Sequence, residues 1–552
     1  MANEKYVVGI DFGTLSGRVV VVRTSDGVTV GEAVKEYTHG VMDTKLTAGD
    51  GQTLPPEFAL QVPADYMEVF AQAIPEAIAA SGVNKEDIVG IGVDATSATV
   101  FVTTADGTPI NELPGFENNP HAYIKLWKHH GAQDQADRLV KLAQDRNEPW
   151  LGRYGGVLSS ELLLPKVLEI FEKAPEVYEK TDVIINLLDW ATWKLTGVLA
   201  YSAGDSGYKR MYQDGSYPSK EYLEAAAPGF GDVFETKMAG EIIPLGGKVG
   251  EVTAEMAELT GLPAGIAVAA GNIDAHVVVA GANAVKPGQL TAIMGTSTCY
   301  VVSTEEYNDC PGIFGTVLGG AVDGLWGYEA GQTAVGDIFA WFTDSHVPAE
   351  YVAEAKEAGI SVHELLVRKA EAQEIGAHGI VALDWFNGNR SPLSDSLLSG
   401  LILGQTLTTK PEDTYRALLE STAFGARVII ENFEAHGIEI KEIVGAGGLL
   451  KNKFYMQMLS DITRRPIHVS NAPQTGALGS AVFAAVAAGV YDNVLTASEA
   501  MADTTENAYL PDETRAAKYD KLYEVYQELS DFFGKSEDSL MHRLKAIKAS
   551  TF

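Results

Sequence analysis

The stretch Val8-Gly9-Ile10-Asp11-Phe12-Gly13-Thr14-Leu15-Ser16-Gly17-Arg18-Val19-Val20-Val21-Val22 decides the reading of this chain. An apolar run enters a turn of small and hydroxyl residues, then returns as a second apolar run. That pattern predicts a β-hairpin. Glycine lets the backbone approach a ligand closely. Thr14 and Ser16 add hydroxyl donors, and backbone N–H groups in such a turn can form a nest for an anion. Asp11 stands at the strand end, where a carboxylate can hold a cation directly or through water. Together these groups can hold a nucleoside triphosphate and its Mg²⁺ without a P-loop. An ordinary glycine-containing hairpin has the same pattern, so the stretch alone leaves both readings open.

The form returns at Leu290-Thr291-Ala292-Ile293-Met294-Gly295-Thr296-Ser297-Thr298-Cys299-Tyr300-Val301-Val302-Ser303. Two such hairpins, more than half a chain apart, predict two similar domains facing one nucleotide. A chain of 552 residues is too long for one ordinary core and suits two large domains. The turn Val285-Lys286-Pro287-Gly288 marks the expected boundary, giving units 1–285 and 286–552.

Composition narrows the partners. The chain is 46% hydrophobic and 21% charged, a globular balance, with a formal charge of −33. That charge argues against nucleic acid, which needs a basic footprint, and against anionic membrane surfaces. An anionic substrate must then rely on Mg²⁺, backbone amides and a few placed cations. The two cysteines, Cys299 and Cys310, suggest neither a disulfide framework nor a cysteine metal site, and a reduced, cytoplasmic setting is expected. Met1 to Lys5 leads into a strand and is not read as a signal peptide. Gly476 to Val490 is rich in Ala and Gly and reads as a buried helix.

Strands fill residues 5–39, with Asp26-Gly27 as a turn, and 40–62 are irregular. Tyr66 to Ser81 reads as an amphipathic helix and Ile88 to Asp94 as a buried strand. Strands alternating with helices predict α/β architecture. Residues 120–240 read as a mostly helical insertion that could wall a cleft, and Ile266 to Gly271 as another buried strand. Thr409 to Gly437 is a long helix, with proline and acids in its first turn. Arg515 to Ser550 reads as one charged amphipathic helix. Gly90-Ile91-Gly92-Val93-Asp94-Ala95 fits a dinucleotide pattern, but a strand follows where that site needs a helix. His129-His130 has no ligand cluster at metal spacing and reads as structural or surface.

These segments resemble the FGGY carbohydrate kinases, which share their fold with actin and the Hsp70 ATPase. Gly400-Leu401-Ile402-Leu403-Gly404 and Tyr415-Arg416-Ala417-Leu418-Leu419-Glu420 look like the family's C-terminal signature, with Gln405 where many members carry an aliphatic residue. The match is best to the branch that acts on L-ribulose. It rests on His39 to Asp43, Ala59 to Tyr66, Leu126 to His130, Tyr154 to Glu161, Gly271 to His276 and Asp384 to Ser391, in that order. Leu162 stands where that branch usually has Trp.

The resemblance implies an α/β fold of two RNase H-like domains with an interdomain cleft that closes to exclude water. It implies ATP-dependent phosphorylation of L-ribulose to L-ribulose 5-phosphate in L-arabinose catabolism, with Mg²⁺, and a homodimer. Asp274, read from the residues alone, caps a helix starting near Ala275; by resemblance it is the catalytic base. Trp127, Lys209 and Glu329 would read the sugar, with Ala95 and Thr96, in the loop Asp94 to Ser97, lining its pocket. Gly13, Thr14 and Arg18 would hold phosphate in the first hairpin, and Gly295 and Thr296 in the second. Gly447, Gly448 and Asn452 belong to the adenosine motif, and Asp11 would organise Mg²⁺. Two rival classes stay open: a kinase of another pentulose or pentitol (D-ribulose, L-xylulose, ribitol), and an actin/Hsp70-like ATPase that binds protein. An inactive sugar sensor is disfavoured by the presence of both Asp11 and Asp274.

Overall fold

Four consecutive valines, Val19 to Val22, are all buried in the strand Ser16–Arg23. A strand buried on both faces needs cover on both, and the cover comes from opposite ends of the chain. Val19 and Val21 pack with Tyr66, Val69 and Phe70. Val20 and Val22 pack with Ala477, Ala481 and Phe483, on the helix Thr475–Ala487. The computed structural model describes residues 4–536 and 539–551; Met1 to Asn3, the start of the expected lead-in, lie outside them.

Two seven-stranded sheets organise the chain. In the first, Thr29–Glu36, Ser16–Arg23 and Tyr6–Phe12 pair antiparallel. Ile88–Ala95 and then Ala267–Ala269 continue in parallel. The second repeats this path. Trp326–Gln332, Thr298–Thr304 and Gln289–Met294 pair antiparallel, followed in parallel by Glu442–Ala446 and Ile467–Ser470. Three antiparallel strands flanked by two parallel ones, twice over, is the RNase H-like arrangement implied by the resemblance.

Glycines let the helix Thr475–Ala487 lie directly on the first sheet. A Cβ at Gly9 would sit 1.9 Å from the Ala477 carbonyl oxygen, and one at Gly92 would sit 2.0 Å from that of Ser480. Gly92 belongs to the rejected dinucleotide pattern; it lies inside the strand Ile88–Ala95 and serves helix-to-sheet packing.

The expected helix over 66–81 starts earlier, at Pro63, and is interrupted by a π-turn at Val69–Ala73 before Ile74–Ser81. Pro75 is the reason. It has no N–H and its ring crowds the carbonyl four residues back, so the preceding turn widens. The long helix runs Pro411–Ala435, and the Lys410 N–H donates to Asp413 Oδ2 at 2.8 Å. The C-terminal region forms two helices, Glu513–Gly534 and Leu540–Thr551, where one was expected. Among the described residues no helix is long and apolar enough to cross a membrane.

The region 120–240 is mostly helical, with its own apolar cluster around Leu163, Leu164 and Val167. Lys125, His129 and Glu169 are buried there: Lys125 Nζ and His129 Nε2 both lie 2.9 Å from Glu169 Oε2. His129 is therefore structural. His130 Nδ1 lies 3.0 Å from Ser160 Oγ. Leu162 is buried, and Gln405 donates to Thr414 Oγ1 at 3.2 Å.

Candidate active site

The two glycine turns close alike. Gly13 N–H donates to the Ser16 carbonyl at 3.0 Å, and Gly295 N–H to that of Ser297 at 2.9 Å. The first turn is braced from the side: Trp127 Nε1 donates to Thr14 Oγ1 at 3.1 Å, and Gln61 Nε2 to the Thr14 carbonyl at 2.8 Å. The second is braced by a helix start. Val335 and Asp337 N–H groups donate to the Thr296 carbonyl at 2.7 and 3.2 Å, and Gly336 N–H to that of Gly295 at 3.1 Å.

Gly447 sits beside the second turn. Its φ is +101°, and a Cβ there would lie 2.4 Å from the Met294 carbonyl oxygen, so only glycine fits. Gly448 faces open space. Asn452 is engaged locally, where its Oδ1 accepts the Tyr455 N–H at 3.1 Å and caps the helix Lys453–Thr463. Arg18, expected on phosphate, instead places Nη1 3.0 Å from Asp11 Oδ2. The antiparallel register of their strands makes them direct neighbours.

Three carboxyls gather at the ends of the parallel strands. Asp11 and Asp94 are register partners, and Asn272, two residues before Asp274, also pairs with Asp94. A Cβ on Gly476 would be 3.6 Å from Asp11 Oδ2 and 3.8 Å from Asp94 Oδ1. Asp94 is fully buried; burial and then the Asp11 charge push its carboxyl well above the usual range. Its Oδ2 accepts a 2.6 Å hydrogen bond from Ser480, while Oδ1 has no partner among the described residues.

Asp274 opens the helix Asp274–Gly281 and is partly exposed. Its Oδ1 accepts the Ala275 N–H at 2.7 Å. Burial and then the charge of Asp11 push its carboxyl up to about 7, against the opposing Ala275 N–H and Lys209 ammonium. Helix start and candidate base are thus the same residue.

Lys209 and Glu329 meet here. Lys209 Nζ lies 3.0 Å from Glu329 Oε2, and His276 Nε2 lies 3.1 Å from the same oxygen. Burial alone would raise the Glu329 carboxyl; the Lys209 ammonium and then His276 override it and hold it below the usual range. The structure therefore gathers Asp11, Asp94 and Asp274, with Lys209 and Glu329 beside them. Trp127 stands at the Thr14 turn. Ala95 ends the central strand. Thr96 follows it, with its N–H on the Phe12 carbonyl at 3.1 Å and its hydroxyl 2.8 Å from that of Thr99.

Sequence reasoning placed Asp94 only in a pocket-lining loop, not in a carboxyl cluster, and gave His276 no role of its own. The available signals were position at the end of the strand next to Asp11, and a place two residues beyond Asp274.

Known proteins share this architecture. The FGGY family of carbohydrate kinases, N-terminal domain, matches residues 6–281, and its C-terminal domain matches residues 290–488. The chain is 50% identical over 546 residues to the ribulokinase of Mycolicibacterium smegmatis, covering 99% of this chain and 97% of that one. It is 46% identical over 553 residues to the ribulokinase of Geobacillus thermodenitrificans, covering 99% and 97%. Among solved structures, a xylulose kinase from Rhodospirillum rubrum has a TM-score of 0.77 at 23% identity, covering 95% of this chain and 98% of that one. A gluconate kinase from Lactobacillus acidophilus has a TM-score of 0.79 at 18% identity, covering 97% and 99%. The structural likenesses speak for the fold, the sequence identities for the branch: the chain belongs to the FGGY family of carbohydrate kinases and groups there with the ribulokinases.

Proposed function

We propose that this chain transfers the γ-phosphoryl group of ATP to L-ribulose, giving ADP and L-ribulose 5-phosphate, a step of L-arabinose catabolism. One observation carries the reading beyond the family likeness. A partly exposed carboxyl with a raised pKa, Asp274, lies beside a buried Lys209–Glu329 pair that offers both donors and acceptors to hydroxyl groups.

In this reading Asp274 accepts the proton of the sugar hydroxyl as the phosphoryl group arrives, which typically contributes about 10²–10⁴-fold. A base near neutrality suits this role, since it is ionised enough to work and basic enough to take the proton. Lys209 and Glu329 orient the sugar, and the remaining catalysis is positioning and charge stabilisation. The nucleotide phosphates lie between the Gly13-Thr14 and Gly295-Thr296 turns, with Gly447 and Gly448 giving the adenosine a flat backbone surface and Asn452 at its edge.

Mg²⁺ fits the donor set, because Asp11 offers hard carboxylate oxygens and Asp94 Oδ1, which has no donor among the described residues, lies beside it. When bound, the ion supplies charge neutralisation on the phosphates. Asp11 would hold the ion, and Arg18, now paired with Asp11 at 3.0 Å, would then be available to the phosphates. The working units are 1–285 and 286–552, divided at the turn Val285-Lys286-Pro287-Gly288; a cytoplasmic setting rests on the two reduced cysteines, and a homodimer on the family likeness.

Coupled ADP release with Mg·ATP, measured against L-ribulose, D-ribulose, the xyluloses, ribitol, glycerol and no sugar, tests the proposal. Strong turnover dependent on L-ribulose is expected. A rate that no sugar changes would overturn it in favour of a protein-binding ATPase.

A further inference from the structure

Two of the segments that carried the resemblance play no part in the mechanism above, namely Tyr154 to Glu161 and Asp384 to Ser391. They lie far apart in sequence and meet in space. Arg390 Nη2 approaches both carboxylate oxygens of Glu161 at 3.4 Å. A guanidinium carries five N–H donors in a fixed fork, and this long contact uses only one nitrogen. Arg390 Nε and Nη1 donate to nothing among the described residues. The side chain is about one-fifth exposed, as is that of Glu161.

The location of the free donors is defined by three contacts. Arg390 runs across Gly331, where a Cβ would lie 3.3 Å from its Cδ. Gly331 and Glu329 are two apart in the strand Trp326–Gln332, so they share a face, and the missing side chain leaves the guanidinium its path beside Glu329. The ring of Phe314 lies 4.9 Å from the Arg390 guanidinium carbon and 4.9 Å from Lys209 Nζ. Two cations therefore flank one ring and one carboxylate. They differ in what they act on. Lys209 acts on Asp274 as well as on Glu329. The carboxylates acting on Arg390 are those of Glu161 and Glu329.

We propose that Arg390, oriented by Glu161, is a specificity residue whose remaining N–H groups bind sugar oxygens beside Glu329. This rests on the sugar-kinase reading above. A fork of donors discriminates by geometry. A hydroxyl of the wrong configuration leaves a desolvated donor unpaired, and a hydrogen bond to a charged group is worth about 1.5–3 kcal/mol, roughly a factor of ten to a hundred in affinity. Glu161 comes from the helical insertion and Arg390 from the C-terminal half, so the donor is aimed only when both are in place.

The test uses the full-length protein with Arg390→Gln, Arg390→Lys and Glu161→Gln. Kinetic constants are measured for L-ribulose, D-ribulose, both xyluloses and ribitol, and L-ribulose and a non-hydrolysable ATP analogue are titrated by calorimetry. Arg390→Gln is expected to raise the KM for L-ribulose about tenfold or more, to change kcat less than about threefold, and to narrow the gap between L-ribulose and the other sugars. Glu161→Gln moves the same quantities less, and analogue affinity stays at the wild-type value. Arg390→Lys, which keeps the charge without the fork, restores part of the affinity and little of the discrimination; it carries the test if the Gln variant does not fold. A wild-type KM and sugar ranking in an Arg390 variant would overturn the proposal, as would equal losses of sugar and nucleotide affinity. Absence of sugar-dependent turnover in the wild type is a separate failure, of the kinase reading itself; sugar calorimetry still reads Arg390 in that case, and equal binding by wild type and variant would sink this inference too.

Discussion

The Ser480 hydroxyl donates a 2.6 Å hydrogen bond to Asp94 Oδ2 across 386 residues of sequence. Ser480 lies on the helix Thr475–Ala487, and Asp94 near the end of the central strand of the first sheet. The bond ties the C-terminal part of the chain to the carboxyl cluster at the site. Removing it with Ser480→Ala leaves the buried Asp94 carboxyl without its hydroxyl donor, beside the Asp11 carboxyl. A loss of about 1–3 kcal/mol is expected, read by urea denaturation. A variant as stable as the wild type would show that the bond contributes nothing.

Asp274→Asn keeps the shape of the helix start and removes the base. Turnover should fall by about 10²–10⁴-fold while sugar affinity, measured by calorimetry, stays near the wild-type value. Near-normal turnover would refute the role. In the wild type, kcat/KM should fall as pH drops through about 7, the value to which burial and Asp11 push this carboxyl, because the protonated acid cannot accept the sugar proton.

The same carboxyl has a stability signature of opposite sense to a salt-bridged aspartate. Its folded pKa lies above the unfolded one, so the unfolded chain releases its proton first as pH rises. Stability is lost between about pH 4 and pH 7 and is fully present below that window. Asp274→Asn should therefore unfold at a higher temperature than wild type at pH 8, by no more than about 4 kcal/mol in stability. The difference should shrink toward pH 4. Equal melting temperatures at pH 8 would mean that the folded site does not raise this pKa.

Glu169 is the reverse case and lies in the helical insertion. Burial would raise its carboxyl, but the Lys125 charge and then His129 hold it below the usual range. Burial, aided by Lys125, pushes His129 down to about 3, so its ring is neutral near pH 7. Stability from Glu169 is present above the unfolded carboxylate pKa and lost as pH falls through the folded one. Glu169→Gln removes the counter-charge of the fully buried Lys125, whose ammonium keeps only the neighbouring His121 Nδ1 at 3.2 Å and His129 Nε2 at 3.4 Å. A loss of about 3–5 kcal/mol is expected, measured by denaturant unfolding at pH 7. A cost below about 1 kcal/mol would show that Lys125 finds another partner or water.

Gly9→Ala tests the close approach of helix to sheet. The added carbon would sit 1.9 Å from a backbone carbonyl oxygen, and no rotamer relieves a clash with backbone. The helix Thr475–Ala487 must shift, which costs at least the 1–3 kcal/mol typical of overpacking and displaces Gly476 from Asp11. Soluble yield and nucleotide affinity should fall together. A variant with wild-type affinity and melting temperature would show that the helix stands off further than the structure has it.

Local sequence pattern determined much of this protein. The valine run and the small-residue turn specify a hairpin within about fifteen residues, and its second copy specifies a repeated domain. The charge balance and Asp11 at its strand end were likewise legible locally, whereas Asp274 as a base and Lys209 and Glu329 as sugar readers came only from the family resemblance. Tertiary structure decided their pairing. Lys209 and Glu329 are 120 residues apart, and nothing local records that burial of one demands the other. Arg18 faces Asp11 because the antiparallel register sets them side by side. Gly92 looks like part of a dinucleotide loop until the helix from residue 475 lies on it. Turns and strands are encoded by backbone preferences of neighbouring residues, whereas the partners of a buried charge are chosen by which remote elements exclude water from it.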